Sequence, residues 1–172
     1  MMNRILVWMA IIVIGAGLIA CFITREKTGF IDIHEVYQKF DLKKELERKF
    51  KTVQEQRKII TDSMELNLKL LENKLRTVKS ISDAEAADFQ SRRQDYLQIN
   101  NRFEEDNQQL TAQYDKEILK QLNQYVHDYG IEKGYDYIFG NDNNGAFMHA
   151  DKKLEITEDV IRYINDKYKG IK

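Results

Sequence analysis

Apolar residues recur in a coiled-coil pattern through the middle of this 172-residue chain. A first run takes alternating steps of four and three residues, with Arg57 at one of its positions, as expected for a seam between helices. Its members are Leu46, Phe50, Val53, Arg57, Ile60, Met64, Leu68, Leu71, Leu75 and Val78. Two consecutive steps of four meet at Met64, so we predict a stutter there, where the supercoil locally unwinds.

A second run follows a predicted helix start at Ser82. Ser82 and Glu85 have the spacing of a capping box, in which each residue satisfies a backbone N–H of the other. The second seam consists of Phe89, Tyr96, Ile99, Phe103, Leu110, Tyr114, Ile118, Leu122 and Tyr125. We predict that this helix ends at Gly130, because glycine is the usual residue at a helix C-terminus.

The two runs predict a long antiparallel helical hairpin. Residues 31–129 contain no glycine, and the chain contains no proline, so the strongest helix breakers are missing. Helices of about 40 and 45 residues give a hairpin roughly 60–70 Å long. Basic residues outnumber acidic ones 11 to 6 over residues 43–79, and acidic outnumber basic 10 to 5 over residues 83–128. We expect this opposite charge to favour pairing of the two helices.

Short strands flank the hairpin on both sides in sequence. Residues 30–33 are compatible with a strand, and Asp32 with Glu35 predicts a helix that begins near Ile33. After Gly130, residues 135–139 and 146–150 predict two strands joined by a turn at 140–145. Thr157 then caps a last helix. We divide the chain into residues 1–28, a base formed by 29–42 and 130–172, and the hairpin 43–129. So small a sheet is marginal alone, which favours oligomerisation through the base.

The N-terminal residues 5–24 form an apolar run long enough to span a bilayer. Arg4 precedes the run, which places the rest of the chain outside the cytoplasm by the positive-inside rule. Three fates stay open: a retained signal anchor, a lipoprotein in which Cys21 is lipidated, and ordinary cleavage. The lipoprotein alternative depends on the tetrapeptide at residues 18–21, which is similar to a bacterial lipobox.

The two ends of the exported part resemble the Skp (OmpH-like) family of periplasmic chaperones. The resemblance covers residues 29–168 and is most specific in GFIDIHEVYQKF and GYDYIFGNDNNGAFMHADKKLEITEDVIRYI. In the second segment Glu155 stands where the family usually has Asp, before Ile156 and Thr157. The helical middle matches only in length and charge.

The resemblance implies a mainly α fold with a small β base that trimerises into a β-barrel-like body. Three helical hairpins would project from it around a cavity that holds unfolded outer-membrane proteins without ATP. The residues we assign to the trimer base are Ile31, Ile33, Tyr137, Ile138, Phe139 and Phe147. The chain departs from the best-known members, which are strongly basic and have a cleaved signal peptide, because its net charge is −1 and residues 5–24 favour membrane attachment.

The sequence contains no motif that indicates catalysis or cofactor binding. His34, His127 and His149 lie on separate predicted elements without ligand spacing, and the Asn-rich loop at 141–145 lacks the EF-hand pattern. No Walker, dinucleotide or nucleophile-elbow motif occurs. A near-neutral chain also lacks the basic stripe of a nucleic-acid-binding protein. We therefore expect no enzyme activity, metal, cofactor or nucleic-acid partner.

Apolar residues outside the seams are the candidates for client contact. Ile59, Leu66 and Leu70 follow each other at i, i+7 and i+11 beside the first seam, and Leu97 lies on a similar flank of the second helix. The function we predict is an ATP-independent holdase chaperone of the periplasm. The alternative is a membrane-tethered coiled-coil scaffold or spacer, which would need the anchor and the hairpin but no strand-bearing base.

Overall fold

The computed structural model describes residues 26–78, 80–142, 145 and 148–171. Strand β1 (Thr28–Asp32) is followed by helices α1 (Ile33–Lys39), α2 (Asp41–Thr77) and α3 (Asp83–Lys133). Strand β2 (Tyr137–Asn141), a 3-10 turn (Lys152–Leu154) and helix α4 (Thr157–Tyr168) complete the order. The predicted fold class, long helices with a small sheet, is confirmed. Residues 5–24, Cys21 and Phe147 lie outside the described residues.

The chain divides into two compact units. We call Met1–Val36 with Gln124–Ile164 the sheet unit, and Tyr37–Asn123 with Asn165–Lys172 the hairpin unit. The hairpin unit holds α2 and most of α3, which contain 37 and 51 residues. These lengths correspond to roughly 55 Å and 76 Å.

Helix α3 begins at the predicted capping box. The Glu85 N–H donates to Oγ of Ser82 (3.3 Å), and the Ser82 N–H donates to Oε2 of Glu85 (3.1 Å). The Ser82 hydroxyl donates to the same carboxylate at 2.8 Å. Hydrogen bonds from the Ser82 backbone N–H and then from its hydroxyl lower the pKa of the Glu85 carboxyl.

The predicted end of α3 at Gly130 is wrong, because the helix continues to Lys133. Gly134 has the positive φ (67°) that a helix C-cap needs. Its N–H donates to the carbonyl of Ile131 at 3.3 Å, and the Tyr135 N–H donates to the carbonyl of Gly130 at 2.9 Å. This pair of bonds is a Schellman motif, so Gly134 ends the helix and Gly130 lies inside it.

Helices α2 and α3 run antiparallel within the hairpin unit. The residues that line common grooves fall in number along α3 as they rise along α2. Leu46 shares a groove with Ile118, and Met64 shares one with Ile99. The predicted antiparallel pairing is therefore confirmed.

The first seam departs from its predicted course at two positions, Ile60 and Val78. Val78 is 41% exposed and lies just past the end of α2 at Thr77. Ile60 is 46% exposed, whereas Thr61 is half-buried and takes the inward position. The observed seam thus steps from Arg57 to Thr61 to Met64, and the two consecutive steps of four meet at Arg57 instead of Met64. Thr61 tolerates this position because its hydroxyl donates to the carbonyls of Arg57 and Lys58, at 3.3 and 3.0 Å.

The sheet of the sheet unit is parallel, unlike the predicted strand hairpin. Strand β2 pairs with β1, which precedes it by about a hundred residues, and Phe30 lies opposite Phe139. Residues 148–150, part of the predicted second strand, are not in a strand. Parallel strands require a long crossover connection, and the helices between β1 and β2 supply it in sequence. On the other side of β1, Phe30 bridges Glu155, and the Ile156 N–H donates to the Phe30 carbonyl at 2.9 Å.

A small apolar core fills the sheet unit, and Asp32 ties its elements together. The buried side chains of this core are Ile31, Val36, Tyr129, Ile156, Val160, Ile161 and Ile164. The Asp32 carboxylate accepts the Glu35 N–H at 2.9 Å, which caps α1 as predicted. The Asp32 N–H donates to Oγ1 of Thr157 at 3.0 Å, so the Thr157 hydroxyl links the start of α4 to the end of β1.

Candidate functional site

Three large aliphatic side chains on α2 form an exposed apolar stripe. Ile59, Leu66 and Leu70 are 69%, 58% and 59% exposed. Their spacing of seven and four residues places them on one face of the helix, outside the seam. Leu97 on α3 is 48% exposed. The structure thus confirms that these four residues are not seam residues; their contact with a client stays a prediction.

The charged groups beside the stripe are paired within their own helix. Lys58 pairs with Asp62 at 2.8 Å, and Lys69 pairs with Glu65 at 2.5 Å. These hydrogen bonds raise the pKa of both lysines, so the ammonium groups stay charged at neutral pH. Because such i, i+4 pairs satisfy each other locally, the apolar side chains are the groups on this face that still gain from a partner.

The expected charge attraction between the helices takes a different form. The ion pairs just described, like Lys49–Glu45 and Arg92–Asp88, join residues of one helix. Arg57 makes an ion pair between α2 and α3, with its Nη2 3.4 Å from Oδ2 of Asp106. Within the described residues of the two helices, their opposite charges thus meet at the Arg57–Asp106 pair inside the seam.

The aromatic residues of the second helix pack in the seam, as their heptad spacing predicted. Phe89, Tyr96, Phe103 and Tyr114 are all half-buried. Half-burial follows from the geometry of two helices, which cover only one side of each seam residue. These rings therefore belong to the seam and not to the exposed candidate site.

In the sheet unit, two aromatic rings are exposed on one face of β2. Tyr137 and Phe139 are 53% and 51% exposed, and their rings stack at 6.1 Å. Phe139 also lines a cleft of about 460 Å³ together with Phe30, His149 and Leu154. Of the other residues assigned to the base, Ile33 and Ile138 are half-buried, whereas Ile31 is buried in its own chain. Ile31 therefore contributes to the core of its own chain and not to an exposed face.

The part of the chain that the structure describes contains no candidate metal site. No group of three or more His, Cys, Asp or Glu side chains is placed to hold a metal ion there. Among the same residues, no helix has the length and apolarity to cross a membrane. The predicted membrane segment, residues 5–24, falls outside them.

Comparison with known proteins identifies the family. The model of the family described as outer membrane protein (OmpH-like) matches residues 27–164, which is most of the chain. This chain belongs to the OmpH-like family. The resemblance that the sequence suggested is thereby confirmed.

A solved structure shares the fold of this OmpH-like chain. It is a 2.83 Å crystal structure from Caulobacter crescentus CB15, assigned as an OmpH-like outer membrane chaperone. The TM-score is 0.65 over 84% of this chain and 86% of that chain, with 14% sequence identity. At that identity the similarity shows the fold alone. No curated protein matches the sequence.

Sequence reasoning missed the polar contacts of Arg57. The spacing places Arg57 at a position of the first seam but indicates no partner for it. The signal was present, since Asp106 and Asn107 lie next to the second seam at the antiparallel position opposite Arg57. A charged residue inside one seam predicts a counter-charge in the other.

Proposed function

We propose that this OmpH-like chain is an ATP-independent holdase that binds unfolded envelope proteins along the helical hairpin. The observation that carries the proposal is the exposed apolar stripe of Ile59, Leu66 and Leu70. Membership of the OmpH-like family and the fold shared with a protein assigned as an outer membrane chaperone support a chaperone role.

Exposed aliphatic side chains suit reversible capture. Full burial of each such side chain would contribute about 1.5–3 kcal/mol, and mobile partial contact contributes less. Several weak contacts still add up, because each contact after the first is effectively intramolecular. Release then requires no nucleotide, since no single contact is strong.

The proposed assembly is a trimer in which three hairpins surround the client. Exposure of Tyr137 and Phe139 supports an interface at β2, because paired exposed aromatic rings gain most from burial. The half-buried Ile33 and Ile138 would extend this interface, and Phe147 belongs to the same proposed set. A two-stranded sheet is marginal by itself, so joining three of them would add to its stability.

The proposed location is the periplasm, with attachment to the membrane through residues 5–24. The family supports the compartment, and the apolar run supports the attachment. Whether residues 5–24 are retained or replaced by a lipid on Cys21 is decided by Cys21→Ser. If the segment is a retained anchor, Cys21→Ser leaves the mass of the mature protein and its membrane fractionation unchanged. If the protein is a lipoprotein, the same substitution removes the mass of the lipid.

The test of function replaces the stripe and measures protection of a client. We expect the triple variant Ile59→Gln, Leu66→Gln, Leu70→Gln to lose most of its ability to keep an unfolded outer-membrane barrel protein from aggregating without ATP. Its helix content and oligomer mass should stay those of the parent. The matched control is Leu119→Gln with Ile131→Gln, which removes exposed aliphatic side chains (45% and 68% exposed) away from the stripe.

Two outcomes would count against the proposal. If the triple variant protects the client as well as the parent does, the stripe is not the binding surface. If the parent itself gives no protection while its hairpin is folded, the scaffold or spacer alternative is favoured.

A further inference from the structure

A cluster of polar groups interrupts the seam near the middle of the hairpin. The Arg57 side chain is 20% exposed and faces α3. Its Nη1 donates to the carbonyl of Phe103 at 3.3 Å and to Oδ1 of Asn107, and its Nη2 contacts Asp106 at 3.4 Å. The guanidinium also lies over the Phe103 ring, 5.2 Å from its centroid. All its partners on α3 therefore fall within five consecutive residues.

The sequence around these partners disfavours a slip of one helical turn in either direction. A slip of four residues one way would replace Asp106 by Arg102, which places two positive charges together. A slip of four residues the other way would replace Asp106 by Leu110, which leaves the guanidinium without its carboxylate. Of these three alignments, the observed one is that in which Arg57 has a carboxylate partner.

The apolar seam alone does not select this register as sharply. Between Arg57 and the turn of the hairpin, the spacing allows either Ile60 or Thr61 to face α3. In the structure the polar Thr61 is half-buried there, and Ile60 is exposed. A helix turns by about 100° per residue. If Ile60 faced inward in place of Thr61, α2 would therefore be rotated about its axis, and the side chains between this point and the turn would change direction. Ile59, Leu66 and Leu70 would rotate with it.

We propose that Arg57, with Phe103, Asp106 and Asn107, is a register clamp for the hairpin. It fixes the alignment of α2 with α3 and thereby keeps Ile59, Leu66 and Leu70 on the exposed face. A buried charged residue commonly costs stability and specifies one alignment, which is the role we assign to Arg57. The link to client binding rests on the proposed function, whereas the clamp itself does not.

The test measures the alignment directly, by the distance between spin labels at Asn73 on α2 and Gln113 on α3. The full chain carries Cys21→Ser, and labelled chains are diluted with unlabelled ones. Most of this separation lies along the hairpin axis, so a slip of one turn changes it by about 5 Å. A second pair, Thr52 with Asn73, lies on α2 alone and reports whether that helix itself changes.

The decisive variant is Arg57→Glu, because it reverses the charge that selects the register. Glutamate is repelled by Asp106 and attracted by Arg102, so α2 should shift towards the turn. We expect a population in which the Asn73–Gln113 distance is about 5 Å longer, with the distance inside α2 unchanged. The matched control, Lys58→Glu, makes the same charge change at a neighbouring side chain that is 74% exposed, and should leave both distances as in the parent.

A milder variant tests the clamp even if the charge reversal in Arg57→Glu unfolds the hairpin. Arg57→Gln keeps hydrogen-bonding capacity but loses the charge, so the Asn73–Gln113 distribution should broaden without loss of helix content. The clamp is refuted if Arg57→Glu and Arg57→Gln both keep the single distance of the parent. It is also refuted if Lys58→Glu shifts the distance as much as Arg57→Glu does, because net charge alone would then set the alignment.

Discussion

Burial differs sharply between the middle of the described chain and its flanks. Every buried apolar side chain of the described residues lies at positions 31–46 or 118–164. In the hairpin unit these are Phe40, just before α2, with Leu42 and Leu46 on α2 and Ile118 and Leu122 on α3, all near the open end of the hairpin. We call residues 41–57 and 103–123 the open half, and residues 58–77 and 83–102 the turn half. In the turn half, the seam residues are at best half-buried.

This difference shows that the two halves of one hairpin gain unequally from the burial of apolar side chains. Two helices alone cover only one stripe of each other, so the turn half gains little from the hydrophobic effect. Segments with few buried apolar contacts open locally at low free-energy cost. All four candidate client-contact residues, Ile59, Leu66, Leu70 and Leu97, lie in this half.

The largest expected effect comes from removing a buried ring beside the open half. Phe40 is fully buried, and its ring meets that of Tyr168 edge-on at 5.9 Å. Phe40→Ala should lower the free energy of unfolding by about 3–5 kcal/mol. The same change at the half-buried Phe89 of the turn half should cost only about 1–2 kcal/mol. Urea denaturation at one protein concentration measures both, and equal losses would abolish the contrast.

Single added methyl groups test the tight packing of the sheet unit. A Cβ at Gly140 would lie 2.7 Å from Cγ1 of Ile33, so Gly140→Ala should destabilise by about 1–3 kcal/mol. A Cβ at Gly130 would make an ordinary 3.5 Å contact with Ile138. Because Gly130 lies inside α3, Gly130→Ala should stabilise by about 0.5–1 kcal/mol. A loss of stability in Gly130→Ala would contradict the helix end at Gly134.

The capping box tests whether the turn half opens independently. Ser82→Ala removes the oxygen that accepts the Glu85 N–H and should cost about 1 kcal/mol. Hydrogen exchange should quicken in the first turns of α3 and stay unchanged in the open half. Ser91→Ala, inside the same helix, serves as the control and should leave exchange in those turns as in the parent. Uniform acceleration along the whole hairpin would show that the two halves open together.

The smallest expected effect concerns acid stability of the open half. Hydrogen bonds from Lys169 and then Lys44 lower the pKa of the Asp41 carboxyl. A carboxyl with a lowered folded pKa stabilises the fold above its unfolded pKa near 4, and this contribution is lost as the pH falls through the folded value. Lys169→Ala should therefore lose slightly less stability than the parent between pH 5 and pH 3. A steeper loss in the variant would contradict this assignment.

The helices were predictable from sequence because their signals are local. Heptad spacing, the Ser82–Glu85 box and the Asp32 cap each act over a few residues, and all three are present in the structure. The end of α3 was misplaced because Gly130 and Gly134 carry the same local signal, and backbone conformation decides between them. The parallel pairing of β1 with β2 was missed because it joins segments about a hundred residues apart.

The candidate site was predictable in part, for a similar reason. The exposure of Ile59, Leu66 and Leu70 followed from their spacing against the seam. The inward position of Thr61 in place of Ile60 did not, because it depends on how α2 meets α3, which the spacing within one helix does not specify. Hydrophobic periodicity ranks Ile60 above Thr61, whereas in the structure Ile60 is exposed and Thr61 is half-buried.

The central claim is that clients bind the turn half of the hairpin, and site-specific photo-crosslinking tests it most directly. A photoreactive phenylalanine analogue replaces Leu66 in one protein and Thr52, an exposed residue of the open half, in another. Each protein is mixed with the same unfolded outer-membrane barrel protein and irradiated. We predict strong crosslinks to the client from position 66 and few from position 52. Equal crosslinking from both positions, or crosslinking from position 52 alone, would contradict the claim.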